Sequence, residues 1–202
     1  MVALAPGFAD PGFDAQKVFR IVMNAMAGPG MPRSVPVALR PPPPLNPVAA
    51  ALALTLADYE TPLWLDPMLA HNEAVVEWLR VHCGAPITTN TNEARFALIA
   101  DPDKLPALGH FALGSQDYPD RSATLIIQVK MFDRKAGPLL SGPGIETARR
   151  CHPVPLPETI WTLVADNADL YPRGVDLVFA TEKALAALPR STRVDMEEPA
   201  CM

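Results

Sequence analysis

Two apolar runs in the second half of the chain constrain the fold more than any other feature of the sequence. Residues 122–131 (SATLIIQVKM) and 175–181 (VDLVFAT) are rich in apolar, β-branched residues and carry few charges. Runs of this kind are typical of strands that are covered on both faces, as in the centre of a largely parallel sheet. Such a sheet needs helices on both sides, so these segments predict an α/β protein.

Helical patterns alternate with the predicted strands. The first helix is expected to begin near Asp14 as its N-cap and to end sharply at residues 28–30 (GPG). Its apolar residues fall on one stripe at helical spacing: Val18, Phe19, Val22, Met23 and Met26. Further helices are predicted over 48–56, 73–83 and 157–168, and the first of these is apolar nearly all round and should be buried.

Shorter strand signals complete the predicted architecture. Residues 63–65 and 95–100 have the apolar character of strands. Residues 184–188 are expected to pair with 175–181 through a tight turn at Glu182-Lys183, because proline follows at once. The interleaved helices and strands predict a three-layer α/β/α arrangement around a mixed central sheet.

Composition and charge exclude several classes of protein. The net charge is −5 with a pI of 5.3, and no run of lysine or arginine is present, which disfavours nucleic-acid binding. The longest apolar run, at 48–57, is about half of what a membrane span needs. No basic segment precedes an apolar core at the N-terminus, so we expect no signal peptide and a cytoplasmic protein. We expect one domain over 1–202, with a frayed acidic tail from about 195.

Two compositional features concern partners and solvent. Hydrophobic residues make up 49% of the chain, which suggests that a partner covers part of the apolar surface. Four consecutive prolines at 41–44 favour a stiff polyproline II spacer packed along the surface.

The sequence LLSGPGI at 139–145 invites a phosphate-loop interpretation. Residues 133–137 predict a hairpin turn that leads into this segment, and Ser141, Gly142 and Gly144 are the candidate ligand residues. A Walker A loop requires a lysine that is missing here, and Pro143 removes one N–H donor. The pattern therefore favours a tight turn at a strand end, with contact to a ligand or partner as the alternative.

Three arginines form the second candidate site. Arg173 precedes the strand that begins near Asp176, which is itself a candidate ligand- or partner-binding residue, and Arg190 and Arg193 follow the strand predicted to pair with it. The hairpin would therefore bring these side chains to the same end of the sheet. Guanidinium groups there could hold a phosphate or phosphonate. A solvated sheet end or a salt-bridged subunit contact is the alternative interpretation.

Metal and nucleophile patterns are weak. His82-Cys83 and Cys151-His152 are adjacent pairs, whose side chains diverge on a helix or strand, so neither zinc nor a Cys–His dyad is favoured. The three cysteines, with Cys201 as the third, are too dispersed for a disulfide framework. Asp58 and Asp66 could face a cleft or simply cap turns. The residues alone thus define no convincing catalytic centre.

The order of several short segments is more informative than any single motif. In sequence, the chain contains GFADP and AQKVFRIVMNAMAGPG within 7–30, LTLADYETPLWLD at 54–66, WLRVHCGAP at 78–86, SATLIIQV at 122–129, LSGPGI at 140–145, YPRGVDL at 171–177 and LPRSTR at 188–193. Together these segments resemble the H subunit of the bacterial carbon–phosphorus lyase system, the PhnH family. The resemblance extends from about Gly7 to Arg193.

The resemblance implies a fold similar to pyridoxal-phosphate-dependent transferases but without the cofactor lysine and pocket, so no cofactor is expected. It implies an accessory, non-catalytic role beside the G, I and J subunits. That complex couples a phosphonate to the ribose of ATP, displacing adenine and giving ribose 1-phosphonate 5-triphosphate, before a partner breaks the carbon–phosphorus bond. The iron–sulfur cluster of that last step cannot be held by three dispersed cysteines. A homodimer is expected in isolation, and ATP or phosphonate could reach a shared site.

Two other hypotheses stay open. The chain could be a stand-alone binder or enzyme for a phosphonate or nucleotide, with Arg173, Arg190 and the 141–144 segment lining its pocket. It could also be a vestigial pyridoxal-phosphate enzyme, although none of its five lysines lies in a distinctive setting for a Schiff base.

Overall fold

The computed structural model describes residues 4–195. The helices are α1 (Pro11–Ala27), α2 (Pro47–Leu56), α3 (Pro67–Ala70), α4 (Glu73–His82) and α5 (Ile160–Asp169). The strands are β1 (Arg33–Ser34), β2 (Leu63–Leu65), β3 (Ile87–Thr88), β4 (Phe96–Ile99), β5 (Thr124–Gln128), β6 (Met131–Asp133), β7 (Leu139–Ser141), β8 (Arg149–Arg150), β9 (His152–Val154), β10 (Asp176–Ala180), β11 (Ala184–Leu188) and β12 (Arg193–Asp195). The predicted tail lies outside the described residues except for Asp195.

A seven-stranded mixed sheet forms the centre of the molecule, in the order β1-β11-β10-β5-β4-β2-β3. Strands β10, β5, β4, β2 and β3 are parallel, whereas β11 runs antiparallel to both of its neighbours. Two small sheets, β12-β7-β8 and β6-β9, lie outside this sheet. The predicted α/β class with a mixed sheet is confirmed.

Alternate residues of the central strands point into two separate cores. On β5, Ile126 packs in a core with α1, α2 and α4, whereas Leu125 and Ile127 pack in a second core with α5. This alternation follows from the two-residue period of a strand. Both cores consist of apolar side chains, which explains why the central strands carry so few charges.

Several local predictions are confirmed. Helix α2 is buried all round, and Asn46 caps it by accepting a hydrogen bond from the Ala49 N–H at 2.7 Å. Strands β10 and β11 form the predicted antiparallel hairpin. The Thr181 hydroxyl stabilises its turn by accepting hydrogen bonds from the N–H groups of Lys183 and Ala184.

Helix α1 differs from its prediction at both its start and its surface. It begins one turn earlier, because Asp10 accepts a hydrogen bond from the Phe13 N–H and Pro11 occupies the first turn. The predicted stripe is split, since Val18 and Val22 are buried but two of its members are exposed. Those two, Phe19 (47% exposed) and Met23 (52% exposed), are hereafter the α1 stripe.

Two loop predictions are wrong. Residues 133–137 form a turn, in which Asp133 accepts from the Lys135 and Ala136 N–H groups, but not a hairpin. Strand β6 pairs with β9, whereas β7 pairs with β8 and β12, so distant strands and not the turn determine the pairing. The proline segment is likewise not an extended spacer, because the Leu45 N–H donates to the Pro42 carbonyl and folds it back.

Candidate functional site

One cleft gathers three of the residues that the sequence singled out. It has a volume of about 300 Å³ and lies between β7, the end of α5 and the start of β12. We call it the Arg193 cleft; its lining residues are Ser141, Gly142, Pro143, Ala168, Tyr171, Ser191 and Arg193.

Strand register places the polar side chains of this cleft together. Ser141 on β7 lies directly opposite Arg193 on β12 in an antiparallel pair. Side chains of such a pair point to the same face, with their Cβ atoms about 5 Å apart. The next residue, Gly142, has a φ of 124°, and a Cβ added there would lie 2.8 Å from the Ser191 carbonyl oxygen. Only glycine therefore allows the 141–143 segment to close against β12.

The Gly-Pro-Gly segment at 142–144 forms a turn that packs against a second Gly-Pro-Gly turn at 28–30. The Ile145 N–H donates to the Gly142 carbonyl at 3.1 Å, with Pro143 second and Gly144 third at a φ of 80°, as a type II turn requires. Residues 28–31 (GPGM) make a second such turn, in which the Met31 N–H donates to the Gly28 carbonyl. The two turns pack on each other, because a Cβ on Gly144 would collide with the Ala27 carbonyl oxygen. Ser141 and Gly142 therefore line the cleft, whereas Gly144 packs against Ala27 and Pro29.

Arg193 is the one charged residue among the described residues that line the Arg193 cleft, and its charge is positive. The Arg193 side chain is exposed and makes no hydrogen bond or ion pair with any residue in 4–195. No carboxylate is among the residues that line the cleft, whereas Ser141, Ser191 and Tyr171 contribute hydroxyl groups. The hydroxyl of Thr192, a residue only 2% exposed, has no partner in the described part of the chain. The cleft thus offers donors and one positive charge, which is the donor set that oxyanions favour.

Arg190 is already engaged elsewhere. Its guanidinium group forms a two-point ion pair with Asp176, with Nη2 to Oδ2 at 2.5 Å and Nε to Oδ1 at 3.2 Å. It also donates to the Pro119 carbonyl at 2.6 Å, and its own backbone N–H donates to Asp176. This ion pair lies within the chain, so it differs from the salt-bridged subunit contact that the sequence analysis offers as an alternative. The Nε of Arg173 is buried without a partner among the described residues, and Arg173 does not line the Arg193 cleft.

The carboxyl ends of the parallel strands are closed by the chain itself. In open α/β sheets, ligands usually bind at these ends, at the topological switch point where the strand order reverses. In this sheet the switch point lies between β2 and β4. At that point the buried carboxylate of Asp66 accepts hydrogen bonds from the Leu69, Ala100 and Asp101 N–H groups at 2.8–2.9 Å. A carboxylate of the protein therefore occupies the position where a ligand anion would bind.

The neighbouring strand ends are covered in the same way. The Gln128 side chain accepts from the Asn46 N–H at 2.6 Å and donates to the Pro44 carbonyl at 2.9 Å, while the Asn46 amide donates to the Ala180 carbonyl. The proline segment is thereby fixed over the ends of β5 and β10. A shallow cleft of about 190 Å³ remains there, with Lys130 and Glu182 in its lining.

A larger cleft, of about 340 Å³, is mainly apolar and lies between residues 6–9, α1 and residues 36–39. The Trp78 indole N–H donates to the Ala5 carbonyl and holds the first of these segments. The charged side chains in its lining, Asp14 and Lys17, pair with each other at 3.7 Å. This cleft lacks the convergent polar groups of a catalytic site.

The two described thiols are unsuited to catalysis. Burial raises the pKa of the Cys151 thiol to about 11, although Arg134 and Arg149 act in the opposite direction. Burial likewise raises the pKa of Cys83, whose Sγ donates to the Leu79 carbonyl. Both thiols stay protonated at neutral pH, so neither is a ready nucleophile. Residues 4–195 contain no cluster of histidine, cysteine and carboxylate side chains that could hold a metal ion.

Sequence reasoning missed Tyr171 and Ser191 as cleft residues. Tyr171 lies in the segment YPRGVDL and Ser191 in LPRSTR. The prediction selected the arginines of these segments because they are charged. Of the predicted site residues, the structure brings Ser141, Gly142 and Arg193 together in the cleft. Tyr171 and Ser191 can be identified as cleft residues only from their position near strand ends, and that position follows from the strand register, which the sequence does not show.

These features define an α/β protein in which the chain's own side chains cover the strand ends and a peripheral cleft presents hydroxyl groups and one arginine. The chain belongs to the family described as bacterial phosphonate metabolism protein (PhnH), which matches residues 6–195.

Two relatives extend this finding. The chain is 40% identical over 190 residues to "Alpha-D-ribose 1-methylphosphonate 5-triphosphate synthase subunit PhnH" of Rhizobium meliloti (strain 1021), covering 94% of both chains. It is 28% identical over 185 residues to "Putative C-P lyase subunit protein HtxG" of Stutzerimonas stutzeri, covering 90% of this chain and 86% of the relative. The predicted membership of the PhnH family is confirmed.

Proposed function

We propose that this chain is the PhnH subunit of a complex that makes α-D-ribose 1-methylphosphonate 5-triphosphate in phosphonate catabolism. The observation that carries this proposal is the 40% identity to a synthase subunit over 94% of both chains. Similarity over the whole length supports the same assembly role more strongly than a shared motif would. The second relative, with carbon–phosphorus lyase in its name, points to the same pathway.

The partners are the G, I and J subunits, and the whole chain, 1–202, acts as one cytoplasmic PhnH-like domain. In isolation it forms a homodimer. The complex transfers the ribose of ATP to a phosphonate with loss of adenine, which is transferase chemistry, and lyase chemistry follows on a partner. The fold is that of a pyridoxal-phosphate-dependent transferase that has no cofactor site.

A non-catalytic role is supported by the closed strand ends. Asp66 and the Asn46–Gln128 pair satisfy backbone groups that would otherwise contact a ligand. Within residues 4–195 no thiol is activated and no metal cluster exists. We therefore assign the chemistry to the partner subunits and a structural role to this chain.

A docking role is supported by the α1 stripe. Phe19 and Met23 are large apolar side chains that stay about half exposed on the outer surface of α1. Exposure of adjacent large apolar groups is unfavourable in water, so such patches often mark interaction surfaces. We assign the α1 stripe to the interface with another subunit of the complex.

Co-expression tests the assembly proposal directly. The chain should co-purify with the G, I and J subunits, and the assembled complex should release adenine from ATP when methylphosphonate is present. A preparation of G, I and J without this chain should assemble poorly or lose that activity. If the chain elutes alone from a sizing column in the presence of all three, the proposal is wrong.

The alternative function is a stand-alone binder or enzyme for a phosphonate or nucleotide, and the Arg193 cleft is the observation in its favour. The isolated chain should then release adenine or phosphate from ATP and methylphosphonate without any partner. We expect no such turnover, since the cleft lacks a general base and a metal site among the described residues.

A further inference from the structure

We propose that the Arg193 cleft is a binding site for the phosphate or phosphonate group of a small molecule. The starting observation is the free guanidinium group of Arg193, which has no partner in residues 4–195, at the edge of a cleft of about 300 Å³. The guanidinium group of Arg190, by contrast, is paired with Asp176 and donates to the Pro119 and Pro172 carbonyl groups.

The site is built by several elements rather than by one exposed side chain. Ser141 comes from β7, Ser191 and Arg193 flank the start of β12, and Tyr171 follows α5. Gly142 is confined by the Ser191 carbonyl, which fixes the cleft wall next to the Ser141 side chain. Cross-strand pairing fixes Arg193 beside Ser141. The donors therefore approach one volume from three directions.

The donor arrangement favours a tetrahedral oxyanion over a planar carboxylate. A phosphate or phosphonate group presents three terminal oxygens in different directions, which can accept from a guanidinium and from hydroxyl groups on separate elements. A carboxylate presents two oxygens in one plane and would leave some of these donors unused. Asp195, two residues beyond Arg193 on the same strand, makes no ion pair with it, so the charge of Arg193 is available.

The cleft volume indicates more than a bare ion. About 300 Å³ lies at the lower end of small-molecule pockets, and Tyr171 at the cleft adds an exposed aromatic surface. A phosphorylated or phosphonylated sugar therefore fits the combination of charge, hydroxyl donors and ring. The choice of phosphonate among the candidates rests on the proposed function, whereas the oxyanion site itself does not.

The test is a titration of the full chain, followed by ¹H–¹⁵N NMR at low ionic strength, because salt screens exposed charges. The probes are inorganic phosphate, methylphosphonate and ribose 5-phosphate, with acetate as the planar comparison. We expect saturable shifts at the amides of Ser141, Gly142 and Arg193, and weaker or no response to acetate. The same probes are then added to the complex, because a site that this chain shares with a partner subunit is complete only there.

Matched variants separate the site from general charge. Arg193→Gln should weaken binding at least about tenfold, because it removes a charge-assisted hydrogen bond to the anion. Ser141→Ala should weaken it about threefold. Arg121→Gln removes another exposed arginine, which packs over the Tyr118 ring and does not line the cleft, and should leave binding unchanged.

Three results would overturn this assignment. The first is the absence of saturable shifts at the amides of Ser141, Gly142 and Arg193 in both the chain and the complex. The second is an unchanged affinity in Arg193→Gln, and the third is binding of acetate as tight as that of phosphate. Stronger binding of ribose 5-phosphate than of inorganic phosphate would support a sugar-bearing ligand. Failure of the titration leaves co-purification with the G, I and J subunits intact, so it is distinguishable from failure of the proposed function.

Discussion

At the scale of single residues, hydrogen-bond saturation decides which polar groups can meet a ligand. Asp66 and Arg190 are both polar and near strand ends, yet each is fully used by neighbouring groups of the chain. Arg193 differs because residues 4–195 supply its side chain with no partner. The sequence shows that these residues are charged, but not which of them are already paired, because pairing depends on register and on loops far apart in the chain.

Replacement of Asp66 should be strongly destabilising. In Asp66→Asn, an amide NH₂ would replace one of the two oxygens that accept from the Leu69, Ala100 and Asp101 N–H groups. At least one buried donor would lose its acceptor, which costs about 1–3 kcal/mol. Urea unfolding followed by circular dichroism measures the difference.

Asp58→Asn is the matched control for this measurement. Asp58 lies in an exposed turn, where its Oδ1 accepts from the Glu60 N–H and the Thr61 hydroxyl, and asparagine keeps that oxygen. We expect a change below about 1 kcal/mol. Equal effects of the two substitutions would contradict the account of Asp66.

Cys151 predicts a loss of stability at alkaline pH. Its thiol has an ordinary pKa of 9.0 when unfolded, and burial raises this to about 11 in the folded protein. Above pH 9 the unfolded state therefore loses a proton that the folded state keeps, so unfolding becomes easier as pH rises towards 11. The contribution lost is about 2–3 kcal/mol, at 1.36 kcal/mol per pKa unit.

The measurement compares the unfolding free energy of the wild type and Cys151→Ala across that pH range. The alanine variant starts from a lower stability because it loses buried volume, but its decline should be less steep. Parallel curves would show that the thiol does not titrate in this way.

At the scale of elements, α1 shows how far pattern reasoning extends. Helical periodicity predicts the element and its buried residues Val18 and Val22, but it assigns Phe19 and Met23 to the same face. Adjacent residues on a helix are about 100° apart, so a stripe containing both 18-19 and 22-23 is wider than the core can cover. The half of the stripe that remains outside could not be identified without knowing how α1 lies on the sheet.

Charge placed on the α1 stripe should prevent assembly without unfolding the chain. Phe19→Glu and Met23→Glu should each weaken co-purification with the partner subunits at least about tenfold, because a charge in an apolar interface must be desolvated. The free energy of unfolding should change by less than about 1 kcal/mol, since both side chains are half exposed.

Phe13→Glu is the control on the same helix. Phe13 is 57% exposed, but it lies roughly 120° around α1 from Phe19 and packs against the Lys17 amine. Assembly should be unaffected by this change. Loss of co-purification in all three variants would indicate a general effect of added charge, and retention in all three would remove the α1 stripe from the interface.

At the scale of the whole molecule, the sheet is where sequence and structure agree most. Buried runs such as 122–131 and 175–181 predict the central strands, and the Glu182-Lys183 turn predicts the β10–β11 hairpin. The small outer sheets were not predicted, because β7 pairs with β8 and β12 and β6 with β9. Short polar strands have too weak a pattern to identify their partners, and the Arg193 cleft depends on one of these pairings.

The closed strand ends lead to a prediction for the assembled complex. If this chain held a catalytic centre at the usual place in an α/β sheet, Lys130 and Glu182 beside the shallow cleft would be the available acid–base groups. Removal of a catalytic acid or base costs a factor of about 10²–10⁴ in rate. Because Asp66 and Gln128 already occupy the strand ends, we expect Lys130→Ala and Glu182→Gln to retain adenine release from ATP within about twofold.

The rate of adenine release by the reconstituted complex is the quantity to measure, with a complex lacking this chain as the reference for complete loss. Lys130 and Glu182 are exposed, so their replacement should not disturb assembly, and co-purification verifies this. A hundredfold loss in an intact complex would place chemistry on this chain. Retained activity would instead support a role exerted through the subunit's surfaces, since the strand ends where α/β proteins usually bind ligands are occupied here by Asp66 and Gln128.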